Sequence, residues 1–335
     1  MSKRVFIIAE AGVNHNGSID NALKLVDIAA EAGADAVKFQ TFRATELATA
    51  TADKANYQKV TTGSQESQLE MLKKLELGEE HHRKLMEHCT RRKIQFLSTA
   101  FDLPSVDFLH SLNLPIWKVP SGEITNVPYL RAIAATGKPV ILSTGMATLS
   151  DVEFALHKFY GAGYSKEKIT LLHCTTEYPA SMQDLNLRAM QTMQTAFGTP
   201  VGYSDHSPGI EVSIAAVALG ATLIEKHFTI DKGMSGPDHS ASLAPEELIA
   251  LVASIRNIER ALGNGVKVPS AKELENLPIV RKGIHASKAI RVGDTFGSDN
   301  LTCKRPVNGL PASMWDFVIG RKAPRDYESE EAVDL

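Results

Sequence analysis

Short, continuously apolar runs alternate along this chain with longer stretches whose apolar positions recur at a helical spacing. The pattern is clearest between Val201 and His239. Val201–Ser204 is an extended run ending in Asp205-His206, Glu211–Leu219 is helical in pattern and closed by Gly220, and Thr222–Lys226 is a second run ending in His227. Earlier runs at Val5–Ala9, Ala36–Phe39, Gln95–Ser98, Ile116–Val119, Val140–Leu142 and Ile169–Leu172 repeat the theme. Helical periodicity covers Ile19–Ala32, Glu66–Leu75, Glu79–Arg92 and Pro245–Leu262, the last with Leu248, Leu251, Val252, Ile255, Ile258 and Leu262 on one face. Phe42 to Gln65 is a polar excursion without clear periodicity. Continuously apolar strands suit a parallel sheet buried on both faces. Eight such repeats predict an α/β fold, a (β/α)8 TIM barrel over residues 1–263, ahead of an open doubly wound sheet.

After Gly263 the pattern changes. Residues 264–281 read as a polar linker, partly helical around Ala271–Asn276, and residues 282–335 as a small domain of short strands and turns. A domain that small is only marginally stable alone, so it is expected to lean on the barrel or on another chain. Composition narrows the setting. A net charge of -3, with 43% hydrophobic and 22% charged residues, is ordinary for a soluble protein and gives no reason to expect nucleic acid or a membrane surface. Cys89, Cys174 and Cys303 are few and far apart, as in a reducing compartment. Glu10 interrupts the first apolar run, and no run reaches the roughly 18 residues of a membrane span. The expected location is therefore cytoplasmic.

The chemistry collects at the carboxyl ends of the expected strands: Glu10, Lys38, Gln40, Thr99, Lys118, Ser121, Glu123, Ser143, Thr175, His206 and His227. Eight successive strands ending this way point to one site on the top face of a barrel. His206 and His227 follow neighbouring strands, so their imidazoles can converge on a divalent metal, or each can simply hydrogen-bond within its loop. Lys38 and Lys118 lie inside strands, where an ammonium needs an anion. They predict a phosphate or carboxylate socket with Thr99, Ser121 and Ser143, or else ion pairs with Glu10 and Glu123. Lys118 could also be a Schiff-base lysine of an aldolase. Glu123 reads as a general base or a helix-capping carboxylate, and Asp238 as a hydroxyl-binding or turn-forming residue.

The strings AEAGVNHNGS (9–18), VKFQTF (37–42), FLSTAFD (96–102), WKVPSGEITNVPYL (117–130), ILSTGMAT (141–148), LLHCTTEYP (171–179), GYSDHS (202–207), IEKHFT (224–229) and SGPDHSAS (235–242) resemble the bacterial sialic acid synthase family. The tail, with KRPVNG at 304–309, resembles that family's C-terminal antifreeze-like (SAF) domain. The resemblance implies condensation of phosphoenolpyruvate with an N-acetylated amino sugar, releasing phosphate by C–O cleavage. N-acetylmannosamine, giving N-acetylneuraminate, is the first expectation. A 2,4-diacetamido-2,4,6-trideoxy-mannose, giving N,N'-diacetyllegionaminate, is the alternative. It implies His206 and His227 as ligands of a divalent metal, Mn2+ ahead of Mg2+ or Co2+. It places Lys38, Thr99, Lys118, Ser121 and Ser143 around phosphoenolpyruvate, and Glu10, Gln40, Tyr178 and Asp238 around the sugar. Glu123, Glu10 and Lys118 take catalytic positions, and Arg305 reaches the sugar from the small domain across a domain-swapped homodimer. Thr176 stands where some members of the family carry Asn.

Overall fold

The structure is a computed structural model and describes residues 4–63 and 65–335. Its strands are β1 (Phe6–Gly12), β2 (Ala36–Thr41), β3 (Gln95–Ala100), β4 (Trp117–Val119), β5 (Val140–Ser143), β6 (Ile169–Cys174), β7 (Val201–Asp205) and β8 (Leu223–His227). All pair in parallel with their chain neighbours, and β8 closes on β1 to complete the barrel. Local signals start the helices between them. Ser18 caps Ile19–Glu31 by accepting from Asn21 N, Asp102 caps Leu103–Ser111 through Ser105 N, and Thr148 caps Leu149–Tyr160 through Asp151 N. These helices pack on the outward strand face, where Val37, Phe39, Val119, Leu142, Tyr203 and Ile224 join the main core.

The inward face explains where the polar residues go. Side chains alternate along a strand, so every second residue points into the barrel. One inward layer is an apolar plug of Ile8, Ala36, Leu97, Ile141, Leu172 and Leu223. Two residues further along the same strands stand Glu10, Lys38, Thr99, Ser143, Cys174 and Glu225. A dry floor therefore carries a charged layer directly above it. On β7 the plug narrows to Gly202, where a Cβ would lie 2.4 Å from the Leu223 carbonyl oxygen.

Several strands run further than the apolar pattern predicts. β1 continues to Gly12, β2 to Thr41, β3 to Ala100 and β6 to Cys174. Glu10, Gln40 and Thr99 thus lie within strands, and His227 is the last residue of β8 rather than the first beyond it. The backbone ladder does not require apolar side chains, and inward polar groups here have one another as partners. The Phe42–Gln65 excursion is also more ordered than expected. It contains short helices at Ala44–Leu47 and Asn56–Thr62, and leads into Gln68–Leu75, capped by a reciprocal Ser67–Glu70 pair. Val13, Phe42, Met71 and Leu75 form a separate apolar cluster there.

The chain divides into two compact units between Asn264 and Gly265. The second contains a helix at Ala271–Val280, longer than the predicted helical patch, and an antiparallel pair, β9 (Gly283–Ala286) with β10 (Leu301–Lys304). Its own small core gathers Ile284, Phe296, Leu301, Tyr327 and Val333. Among the described residues no helix is long and apolar enough to cross a membrane.

Candidate active site

The charged layer is a network of two cations and two anions. Lys38 Nζ lies 2.7 Å from Glu10 Oε2 and donates to Thr99 Oγ1 at 2.9 Å. Lys118 Nζ donates to Ser143 Oγ at 2.6 Å. Glu225 stands between the lysines, 3.6 Å from each, and accepts from Ser204 Oγ at 3.0 Å. All four charged side chains are buried. Burial alone would raise Glu225, but Lys118 and Lys38 outweigh it and draw it down to about 2. Burial wins at Glu10, which rises to about 7 although Lys38 opposes it. Burial also lowers Lys118, against the pull of Glu225. The predicted pair between Lys118 and Glu123 does not form. Glu225 takes that place, because it points inward from β8 whereas Glu123 follows β4 in a short 3-10 turn.

Beside this network stand two histidines. Their ring centroids are 5.5 Å apart, and Tyr178 packs against both, 4.1 Å from His206 and 5.6 Å from His227. His206 Nδ1 donates to the Thr175 carbonyl at 2.6 Å, which leaves its Nε2 as the lone-pair nitrogen. His227 Nδ1 is buried without a hydrogen-bond partner. Burial holds His206 to about 4 and His227 well below its ordinary value, so both rings are neutral, as metal ligands must be. Among the described residues no group of three or more His, Cys, Asp or Glu side chains is arranged to hold an ion. The pair fits an ion that takes most of its shell from water and substrate oxygens, which is the preference of Mn2+ and Mg2+.

The remaining predicted residues divide. Ser121 Oγ accepts from Gly145 N at 2.9 Å, and a Cβ on Gly145 would lie 2.2 Å from Thr176 Oγ1. Only glycine lets the backbone approach there. Gln40 Nε2 reaches Glu10 Oε1 at 3.4 Å. Together with both lysines and both histidines, these side chains line a chamber of about 260 Å³. A second chamber, of about 290 Å³, shares Gln40, Phe101, Tyr178 and His227 with it and adds Tyr57 and Asp238. Burial pushes Asp238 up to about 6. Glu123 lines neither chamber. It is half-buried and accepts from Asn126 Nδ2 at 2.5 Å. Arg305 is exposed on the second unit. A more open groove of about 780 Å³ beside β5 and β6 contains neither the two lysines nor His206 and His227.

Sequence reasoning missed several supports. Glu225 was legible in principle, since it lies two residues before His227 and must share its inward face. Asp205 and Lys226, pointing outward behind the histidines, form a buried pair at 2.9 Å. Asn14 joins the loops after β1 and β8 by donating to Phe228 O at 2.8 Å and Ser242 Oγ at 2.9 Å, and Ser242 Oγ donates to Asp238 O at 2.7 Å. That lattice sets the position of Asp238, and nothing in the local pattern announces it.

Comparison with known proteins agrees with this architecture. Residues 25–267 match the NeuB family and residues 281–333 the SAF domain. The N,N'-diacetyllegionaminic acid synthase of Campylobacter jejuni is 53% identical over 331 residues, covering 99% of both chains. The synthase of the same name from Legionella pneumophila is 49% identical, covering 96% of this chain and 91% of its own. The N-acetylneuraminic acid synthetase of Leptospira borgpetersenii, solved in complex with citrate, superposes with a TM-score of 0.71 at 38% identity, covering 82% of this chain and 90% of its own.

Proposed function

This chain belongs to the NeuB family, and we propose that it condenses phosphoenolpyruvate with 2,4-diacetamido-2,4,6-trideoxy-mannose to give N,N'-diacetyllegionaminate and phosphate. It is an enzyme of the sialic acid synthase type. The observation that carries the reading is the burial of Lys38 and Lys118 inside one chamber, beside two neutral imidazoles. Two such ammonium groups suit a small, highly charged anion. For the acceptor, relatives at 53% and 49% identity are both named for diacetyllegionaminic acid, so that sugar displaces N-acetylmannosamine as the first choice.

In this reading Lys38, Lys118, Thr99, Ser121 and Ser143 hold the phosphate and carboxylate of phosphoenolpyruvate and turn one face of C3 towards the aldehyde. Such positioning supplies several kcal/mol of the barrier. C3 bonds to the aldehyde carbon, and the aldehyde oxygen takes a proton. Glu10, raised to about 7, is poised to exchange a proton near neutral pH and, in its protonated form, is the acid placed to give it. Water then adds at the cationic C2, near the ionised Glu225, and gives one proton back to Glu10. The tetrahedral intermediate collapses to the C2 ketone, and phosphate leaves with its bridging oxygen and the remaining proton. For Glu123, acting near the reacting carbons requires its carboxylate to exchange Asn126 for substrate. A divalent ion held by His206 and His227 would supply Lewis acidity toward the aldehyde. Gln40, Tyr178 and Asp238 hold the sugar, and Arg305 completes the site from the partner in a homodimer.

The test is an assay of both acceptors side by side, with phosphoenolpyruvate labelled by 18O in the bridging position. Turnover with the diacetamido sugar and labelled phosphate is expected. Unlabelled phosphate would mean attack at phosphorus and end the roles given to the two lysines; a preference for N-acetylmannosamine would reverse the choice of acceptor.

A further inference from the structure

The second chamber is lined by a surface the barrel itself does not need. Val13, Phe42, Met71 and Leu75 are almost fully buried and form an apolar cluster separate from the main core, with Leu47, Leu72 and Phe101 packed on it. Phe42, Leu47, Met71, Leu72 and Leu75 line this chamber and not the charged one. Most come from the excursion between β2 and β3, which a minimal barrel would replace by a short loop. The chamber's polar groups are partly committed. Gln58 Oε1 accepts from Ala55 N at 3.1 Å and its Nε2 donates to the Tyr57 hydroxyl at 3.3 Å. Gln68 and Asp238 remain to meet amide and hydroxyl groups.

Orientation follows from the shared wall. If phosphoenolpyruvate fills the charged chamber, the aldehyde carbon must sit where the chambers meet, at Gln40, Tyr178 and His227. The far end of the open-chain sugar then lies against the apolar cluster. A methyl group is at home there; with Gln68 and Asp238 engaged by the acetamido groups and the other hydroxyls of the sugar, a hydroxymethyl would set its hydroxyl against apolar carbon. We propose that Phe42, Leu47, Met71, Leu72 and Leu75 form a specificity wall that selects acceptors lacking a hydroxyl at C6. The inference rests on the condensation reading above and adds to it the residues that choose the substrate.

The experiment compares kcat/KM for two acceptors that differ only in the C6 hydroxyl, in the wild type and in Leu72→Gln and Met71→Gln. An apolar pocket discriminates against one added hydroxyl by about 100-fold, so the wild type should prefer the 6-deoxy acceptor by that order. Either variant offers the hydroxyl a partner and should cut the preference about tenfold. The KM for phosphoenolpyruvate should move less than the acceptor's, because the lysines lie in the other chamber. Leu72 is only partly buried, so its variant is the safer for folding. Leu47 is likewise only partly buried, so Leu47→Gln supplies a third variant on which the same fall in preference is read. Equal use of both acceptors, or folded variants with an unaltered ratio, would overturn the wall. Failure of every acceptor to react with phosphoenolpyruvate would instead overturn the condensation reading, and this inference with it.

Discussion

Lys226→Met tests how the ends of β7 and β8 are held. Lys226 Nζ lies 2.9 Å from Asp205 Oδ2, each residue is about 1% exposed, and Lys226 also donates to the Ser207 carbonyl. Asp205 accepts in addition from Ser207 N at 2.9 Å, Ser207 Oγ at 2.6 Å and Ser213 Oγ at 2.6 Å. At an effective dielectric constant of about 20, charges at that separation attract by about 6 kcal/mol, much of which repays desolvation. Removing one partner of a buried pair costs about 3–5 kcal/mol. The hydroxyl and amide bonds still hold Asp205, so the lower end, about 3 kcal/mol, is expected. In a domain of this size that lowers Tm by about 6–12 °C, measured by circular dichroism at neutral pH. Lys226→Met with Asp205→Asn removes both charges yet keeps a side-chain oxygen to accept from Ser207 and Ser213. It should regain part of the loss, since no unpaired charge is then left buried. The pair sits directly behind His206 and His227, so the single variant should also bind Mn2+ more weakly, by about 10- to 100-fold. A fall in Tm below about 2 °C would show that water or another group satisfies Asp205, and the reasoning would fail.

Three further outcomes follow from the geometry. His206→Ala or His227→Ala should abolish measurable Mn2+ binding and reduce turnover by more than about 100-fold, and chelator should do the same to the wild type until Mn2+ is returned; full turnover in a thoroughly chelated preparation excludes the metal role. Burial lowers His15 from 6.5 to about 3. Unfolded chains therefore bind the extra proton in that window, and the stability His15 contributes above 6.5 is lost as pH falls. Relative to His15→Gln, the wild type should lose about 2 kcal/mol between about pH 6.5 and about 5, read from urea unfolding; parallel curves would count against the burial argument. Mixing inactive His206→Ala and Arg305→Ala chains under subunit exchange should restore about a quarter of sites if Arg305 acts across a dimer, whereas no recovery despite exchange means that it does not.

Much of this protein is written locally. Continuous apolar runs spaced by helical patterns specify a parallel barrel, because a strand buried on both faces needs no alternation. The polar residues that end those runs specify where its chemistry lies. Lys38, Lys118, His206 and His227 were each legible for that reason: a charged or metal-binding side chain within or just after a buried strand is costly unless a partner or ligand meets it. Closure of the barrel decided the rest. It brought Glu225 from β8 between lysines on β2 and β4, a convergence that no sequence spacing encodes, and left Glu123 bonded to Asn126 outside the chamber. It let strands run on through Glu10 and Thr99, since the ladder follows the backbone and inward polar groups find partners only across the barrel. The second chamber was least visible. Its apolar wall is assembled from the loop after β1, the ends of β2 and β3 and the helix at Gln68–Leu75, segments whose polar and apolar positions have no common period and meet only in three dimensions.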